Sequence, residues 1–159
     1  MKNRYFDDEW FMEAALKLAE KAYSLGEVPV GAVVVNTEGK IISSGHNLKE
    51  ANNDPTGHAE IIAIKEAASK AGSWRLSGHT LYVTLEPCPM CLASISQARL
   101  DRVVFGAYDS KGGACSLGYH FNKDKRLNHR FKVSGGALHY RCSKVLSSFF
   151  KERRKGYKK

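Results

Sequence analysis

The chain carries a split ligand signature. His58-Ala59-Glu60 stands in one segment and Pro87-Cys88-Pro89-Met90-Cys91 in another, with 30 residues from His58 to Cys88. Each half lies at the start of a helical pattern, so a fold that uses both must bring two helix N-termini together. In open α/β sheets such convergence occurs at the carboxyl ends of the strands. The signature therefore demands strands feeding helices, with both feeds ending on one edge of a sheet.

The rest of the sequence meets that demand. Asp7 and Asp8 read as N-caps of a helix in which Phe11, Ala15, Leu18, Ala22 and Leu25 recur at spacings of four and three, ending near Gly26. Val30 to Val35 is an apolar run, and Thr37-Glu38-Gly39-Lys40 turns it into Ile41-Ile42-Ser43-Ser44-Gly45, a hairpin. A polar loop from Asn47 to Gly57 leads to His58, after which Ile61, Ile64, Ala68 and Ala71 repeat at helical spacing. Leu81 to Leu85 is a strand running into the cysteine segment, which opens a helix through about Ala98. Pro89 suits the first turn of that helix, where a missing N–H has no partner to lose. Arg102 to Gly106 is a further strand, and a weak strand is expected around Lys132-Val133-Ser134. The chain closes with a helix, spanning about 137–159, that carries Leu138, Cys142, Val145 and Phe149 along one stripe. Strands alternating with helices predict an α/β sandwich whose sheet is at least partly parallel.

At 159 residues the chain is expected to form one domain, residues 1–159. Its four cysteines, Cys88, Cys91, Cys115 and Cys142, are too few and too scattered for a disulfide framework, which fits a reducing compartment. No signal peptide and no membrane span are read, so a soluble cytoplasmic protein is expected. The formal net charge is +9, and the last nine residues, Lys151 to Lys159, hold six basic groups against one acidic. With Phe149, Phe150 and Tyr157 beside it, such a cluster either neutralises nucleic-acid phosphates or is a solvated tail.

The ligand count points to catalysis. A structural zinc ion takes four protein ligands, whereas three leave a position open for water. Cys88 and Cys91 lie on one face of a helix's first turn, where the dipole and free N–H groups favour thiolate. Glu60, two residues and about 200° of helix from His58, is directed away from the ligand and reads as a base. Zn²⁺ with two thiolates and a neutral imidazole sums to zero charge. It should therefore acidify water less than a three-histidine site, so a carboxylate must take the proton. Taken alone, Cys88-x-x-Cys91 also fits a thiol-disulfide oxidoreductase. A non-catalytic RNA-binding zinc module would need a fourth ligand from His46, His79, His120, His129, His139, Cys115 or Cys142. None stands at finger-like spacing.

The His58-Ala59-Glu60 and Pro87-Cys88-Pro89-Met90-Cys91 segments together resemble the signature of zinc-dependent nucleobase deaminases of the cytidine and deoxycytidylate deaminase superfamily. Asn53 to Ile61, Leu81 to Cys88, Arg102 to Lys111, Asn128-His129-Arg130 and Phe149 to Arg154 are similar to the bacterial tRNA-specific adenosine deaminases, a likeness running from about Phe6 to Arg154. The resemblance implies a three-layer α/β/α sandwich with a five-stranded mixed sheet, one zinc ion per subunit, and a homodimer. It also implies conversion of adenosine to inosine at the wobble position of a tRNA anticodon stem-loop. It implies zinc ligands His58, Cys88 and Cys91, the proton carrier Glu60, and substrate contacts from Asn47, Asp109, Lys111, Phe150, Arg153 and Arg154. The alternative within the superfamily is a deaminase of a free base or nucleotide, of guanine or cytosine type. Tyr108, beside Asp109, takes no role from the resemblance, and the lysine-rich end beyond Arg154 has no counterpart in it.

Overall fold

The computed structural model describes residues 4–157, with side chains from Asp8 onward; Met1 to Asn3, Lys158 and Lys159 lie outside the described residues. Nine elements follow in chain order. They are α1 (Arg4–Ser24), β1 (Gly31–Val35), β2 (Ile41–His46), α2 (Ala59–Ala71), β3 (Thr80–Leu85), α3 (Pro89–Gln97), β4 (Arg102–Ala107), β5 (Lys132–Gly135) and α4 (His139–Gly156).

The five strands form one sheet in the order β2-β1-β3-β4-β5. β1 is antiparallel to both β2 and β3, whereas β3, β4 and β5 run parallel. The sheet is therefore mixed and five-stranded, as expected. Its central strands are apolar on both faces because helices cover both. Ala32, Val34, Leu81, Val83, Val103 and Phe105 join the core under α2 and α3. Their strand neighbours Val33, Val35, Tyr82, Val104 and Ala107 join the core under α1 and α4. The two edge strands are thinner: β2 alternates buried and half-exposed residues, and β5 is short and largely exposed.

Two details correct the sequence reading of α1. The helix is already formed at Arg4, so neither Asp7 nor Asp8 caps it. The Asp8 carboxylate instead accepts a paired bond from the Arg102 guanidinium at 2.8 and 2.7 Å, and one from the Tyr82 hydroxyl at 2.7 Å, pinning α1 to β3 and β4. The buried stripe is Phe11, Met12, Ala15, Leu16, Ala19 and Ala22, while Leu18 is half-buried and Leu25 exposed. A wide sheet surface needs a broader apolar face than one row of residues supplies. On α2 the expected row is displaced: Ile64 is buried, Ile61 and Ala68 are half-buried and Ala71 is exposed, while Ala59, Ala63 and Ala67 face the sheet.

α2 carries the first half of the signature, and its seat on the sheet is tight. A Cβ on Gly45 of β2 would lie 2.5 Å from the Ala59 carbonyl oxygen and 2.9 Å from the Ala63 nitrogen, so only glycine lets the helix approach this closely. Ser43 donates to the Ala63 carbonyl at 2.7 Å, and the Ser44 N–H donates to Glu66 at 3.0 Å. The first half of α2 is thereby fixed against β2.

Candidate metal centre and active site

Both halves of the signature stand at N-cap positions. His58 caps α2 with an extended backbone (φ −83°, ψ 148°), and Cys88 caps α3 likewise (φ −69°, ψ 169°), with Pro89 in the first helical turn. An N-cap side chain folds over the third helical residue, as in a capping box, so Cys88 meets Cys91. Because His58 is extended, the 200° separation expected between it and Glu60 does not apply. The two side chains diverge because one belongs to the cap and the other to the helix.

The His58 Nδ1 atom lies 3.6 Å from Cys88 Sγ and 3.5 Å from Cys91 Sγ, and the three donor atoms all fall within 4.8 Å of one another. A tetrahedral zinc ion with Zn–S near 2.3 Å and Zn–N near 2.1 Å requires an N···S edge of about 3.6 Å. The donor set therefore fits zinc in both chemistry and spacing. Among the described residues no fourth His, Cys, Asp or Glu joins the group, and Cys115 and Cys142 stand apart from it.

The electrostatics point the same way. The Cys88 thiol is lowered to about 4, chiefly by its hydrogen bond with Cys91 and also by that with His58. Cys91 is pushed far up by the same sharing with Cys88, by burial and by nearby Glu60. A dication beside both sulfurs favours the thiolate on each. The Cys88 contact also raises the His58 imidazole.

Glu60 is 4% exposed and faces the cavity beside these donors, outside the metal-ligating group. Burial raises its carboxyl above the usual carboxylate range, opposed by hydrogen bonds from its own backbone N–H and from Cys91. The cavity measures about 220 Å³ and is lined by Val28, Val30, Asn47, Lys49, Leu85, Glu86, Asp109 and Gly112 together with His58, Ala59, Glu60 and Cys88. Drug-sized sites run to about 300–1,000 Å³, so this one is scaled to a single heterocycle.

Of the remaining expected site residues, Asn47 and Asp109 reach the cavity, and both also hold their own turns. Asn47 Nδ2 donates to the Val28 carbonyl at 3.3 Å and its Oδ1 accepts from the Lys49 N–H at 3.2 Å. Asp109 Oδ1 accepts from the N–H groups of Lys111 and Gly112 at 3.1 and 3.0 Å. Lys111 is exposed and does not line the cavity. Phe150, Arg153 and Arg154 sit exposed on α4. The Arg153 guanidinium stacks 4.9 Å over Phe149 and donates to the Gly26 carbonyl, two residues before cavity-lining Val28.

Two site-shaping carboxylates were not singled out in the sequence. Glu86, 3% exposed, accepts from the Asp109 N–H at 3.2 Å, the Ser116 N–H at 2.9 Å and the Ser116 hydroxyl at 2.6 Å. A Cβ on Gly113 would lie 2.1 Å from its Oε2, so the loop closes directly onto the carboxylate. Glu27, 1% exposed, accepts from the N–H groups of Ala51 at 2.7 Å and Glu50 at 3.3 Å, fixing the loop that delivers His58. The only sequence trace of Glu86 is a charge at the end of an apolar strand; Glu27 leaves none.

The chain matches the family model described as the cytidine and deoxycytidylate deaminase zinc-binding region over residues 6–107. It is 50% identical over 147 residues to a tRNA-specific adenosine deaminase of Haemophilus influenzae, spanning 92% of this chain and 85% of that one. A tRNA-specific adenosine deaminase of Bacillus subtilis is 47% identical over 148 residues, 93% of this chain and 91% of its own. A solved structure from work on A-to-I editing by tRNA deaminases at the wobble position of transfer RNA superposes with a TM-score of 0.81 at 43% identity. It covers 86% of this chain and 98% of that chain.

Proposed function

The chain belongs to the cytidine and deoxycytidylate deaminase zinc-binding family, and from that premise we propose that it converts adenosine to inosine at the wobble position of a tRNA anticodon. The observation that carries the reading is the convergence of one imidazole and two thiols at 3.5–3.6 Å beside a buried carboxylate, inside a cavity the size of one base. Anticodon-loop bases are unpaired and can be splayed into such a cavity at low cost.

His58, Cys88 and Cys91 are the residues that would hold zinc, which when bound supplies Lewis acidity and a water of lowered pKa. Glu60 acts as the proton carrier. Its carboxylate takes a proton from the attacking water and delivers it to N1 of adenine; the water oxygen bonds to C6, and the amino group leaves as ammonia after a second transfer. Burial suits the carboxyl to this work because it brings its proton affinity closer to neutral pH. Asn47 and Asp109 are assigned to orienting the base and its sugar. Both are held by turn hydrogen bonds before substrate arrives, so little ordering remains to be done on binding.

Gripping the anticodon stem-loop is assigned to the exposed Lys111 in the loop after β4 and to Phe150, Arg153 and Arg154 on α4, with phosphate contacts supplied by the basic last turns of that helix. A homodimer, acting in the cytoplasm where tRNA is modified, completes the reading. Among the described residues no helix is long and apolar enough to cross a membrane.

The deciding experiment incubates tRNA with the wild type and with Glu60→Ala, then digests it and assays inosine and bound zinc. Inosine from the wild type, with about 10²–10⁴-fold less from a variant that keeps its zinc, is expected. Equal activity in both proteins would overturn the assignment of Glu60.

A further inference from the structure

Next to cavity-lining Asp109 the chain carries an exposed aromatic residue for which the deamination chemistry has no use. Tyr108 lies between Ala107, the last residue of β4, and cavity-lining Asp109, and it is 58% exposed. An exposed tyrosine on a loop is ordinarily free to rotate, but this one is seated. Phe105 meets its ring edge-on at 5.0 Å and 86°, and His139, the first residue of α4, lies against it at 5.8 Å and 53°. The seat depends on a missing side chain. A Cβ on Gly135 would fall 2.4 Å from Phe105 and 2.8 Å from the Tyr108 ring, so glycine at the end of β5 makes room for both rings. The backbone is anchored on both sides as well: the Ala107 carbonyl accepts from the Glu86 N–H at 2.8 Å, and the Asp109 N–H donates to the Glu86 carboxylate.

Resting on the tRNA reading of the cavity, we propose that Tyr108, backed by His139, is a stacking platform for an unpaired nucleobase adjacent to the adenosine in the cavity. Single-stranded RNA is read largely by stacking on aromatic side chains, and a ring held in place before binding forfeits little entropy. The adjoining polar surface suits a polyanion. Lys111 is exposed three residues on, and Lys144 lies 6.0 Å from the ring of Tyr140, itself 73% exposed on the first turn of α4. A nucleotide flanking the target is tethered to it by one phosphate, so its base falls within reach of a ring carried by the residue next to cavity-lining Asp109. The occupant that fits is a base of the same RNA strand.

The test compares Tyr108→Ala and Tyr108→Trp with the wild type on an anticodon stem-loop and on two stem-loops in which the nucleotide before or after the target is abasic. On the intact stem-loop, Tyr108→Ala should raise KM roughly 5- to 150-fold with little change in kcat, and Tyr108→Trp should restore it to within about threefold. One abasic stem-loop should weaken the wild type to a similar degree and the Ala variant no further. A KM unchanged in Tyr108→Ala, or a loss of the same size on both abasic stem-loops, would overturn the platform while leaving the deaminase intact. Absence of inosine with the wild type on whole tRNA would instead overturn the activity beneath it.

Discussion

Replacing Glu86 by glutamine isolates what its charge and its second acceptor oxygen do for the loop that closes the cavity. The carboxylate takes three donors, two of them backbone N–H groups 7 residues apart, at Asp109 and Ser116. A glutamine of the same shape has one acceptor oxygen, so its NH₂ must face one of those N–H groups, donor against donor. The Ser116 hydroxyl can rotate to suit; a backbone N–H cannot. One buried N–H left unpaired costs about 1–3 kcal/mol, and bonds to a charged acceptor lose part of their strength on neutralisation, so about 2–3 kcal/mol is expected in all. With an unfolding entropy near 2.1 cal/mol/K per residue, a chain of 159 residues should lose about 6–9 °C in Tm. Circular dichroism melts would measure that loss, while amide hydrogen exchange should accelerate at Gly112, Gly113 and Ser116 ahead of the core strands. In the deamination assay KM should rise more than kcat falls, because Asp109 is displaced rather than Glu60. A variant that melts within about 2 °C of the wild type with unchanged exchange in this loop would refute the argument.

Gly45→Ala should destabilise by about 2–4 kcal/mol in the same melts, because its methyl would collide with the backbone of α2 rather than with a side chain that could move. In zinc-free protein, Cys88 should be alkylated by iodoacetamide at pH 6, since its lowered pKa keeps the thiolate down to about 4. Cys142, buried and raised to about 11, should stay unreactive at pH 8; mass spectrometry of the labelled peptides reads both. Lys151→Ala, Arg154→Ala and Lys155→Ala combined should flatten the salt dependence of tRNA binding by up to about 2–3 in log K per log salt, whatever the tRNA sequence.

The strands were legible because apolar runs such as Val30 to Val35 and Leu81 to Leu85 are bounded by turn residues, and the hairpin between β1 and β2 falls where Glu38-Gly39 predicts it. The ligand set was legible for a different reason: His, Cys and Cys at helix starts have few other uses. Asp8 was misread because an acidic residue near a helix start carries the same local signal whether it caps or pairs, and its partner Arg102 is 94 residues away. Glu86 and Glu27 stayed hidden because what keeps them buried is backbone N–H groups, which every residue except proline possesses. On α1 the sheet buries a broader stripe than one row of the sequence marks, and on α2 small alanines, which carry little hydrophobic signal, take the buried face in place of Ile61.

α4 seats its first turns on the rest of the molecule through Cys142, Val145, Leu146 and Phe149, and leaves its last two turns exposed. That end should therefore fray independently, its terminal amides exchanging hydrogen without the sheet opening. If this helix holds the RNA, part of the binding energy goes into ordering it, and protection at residues 150–156 would be the earliest sign of an encounter, appearing before any change at the strands beneath the site.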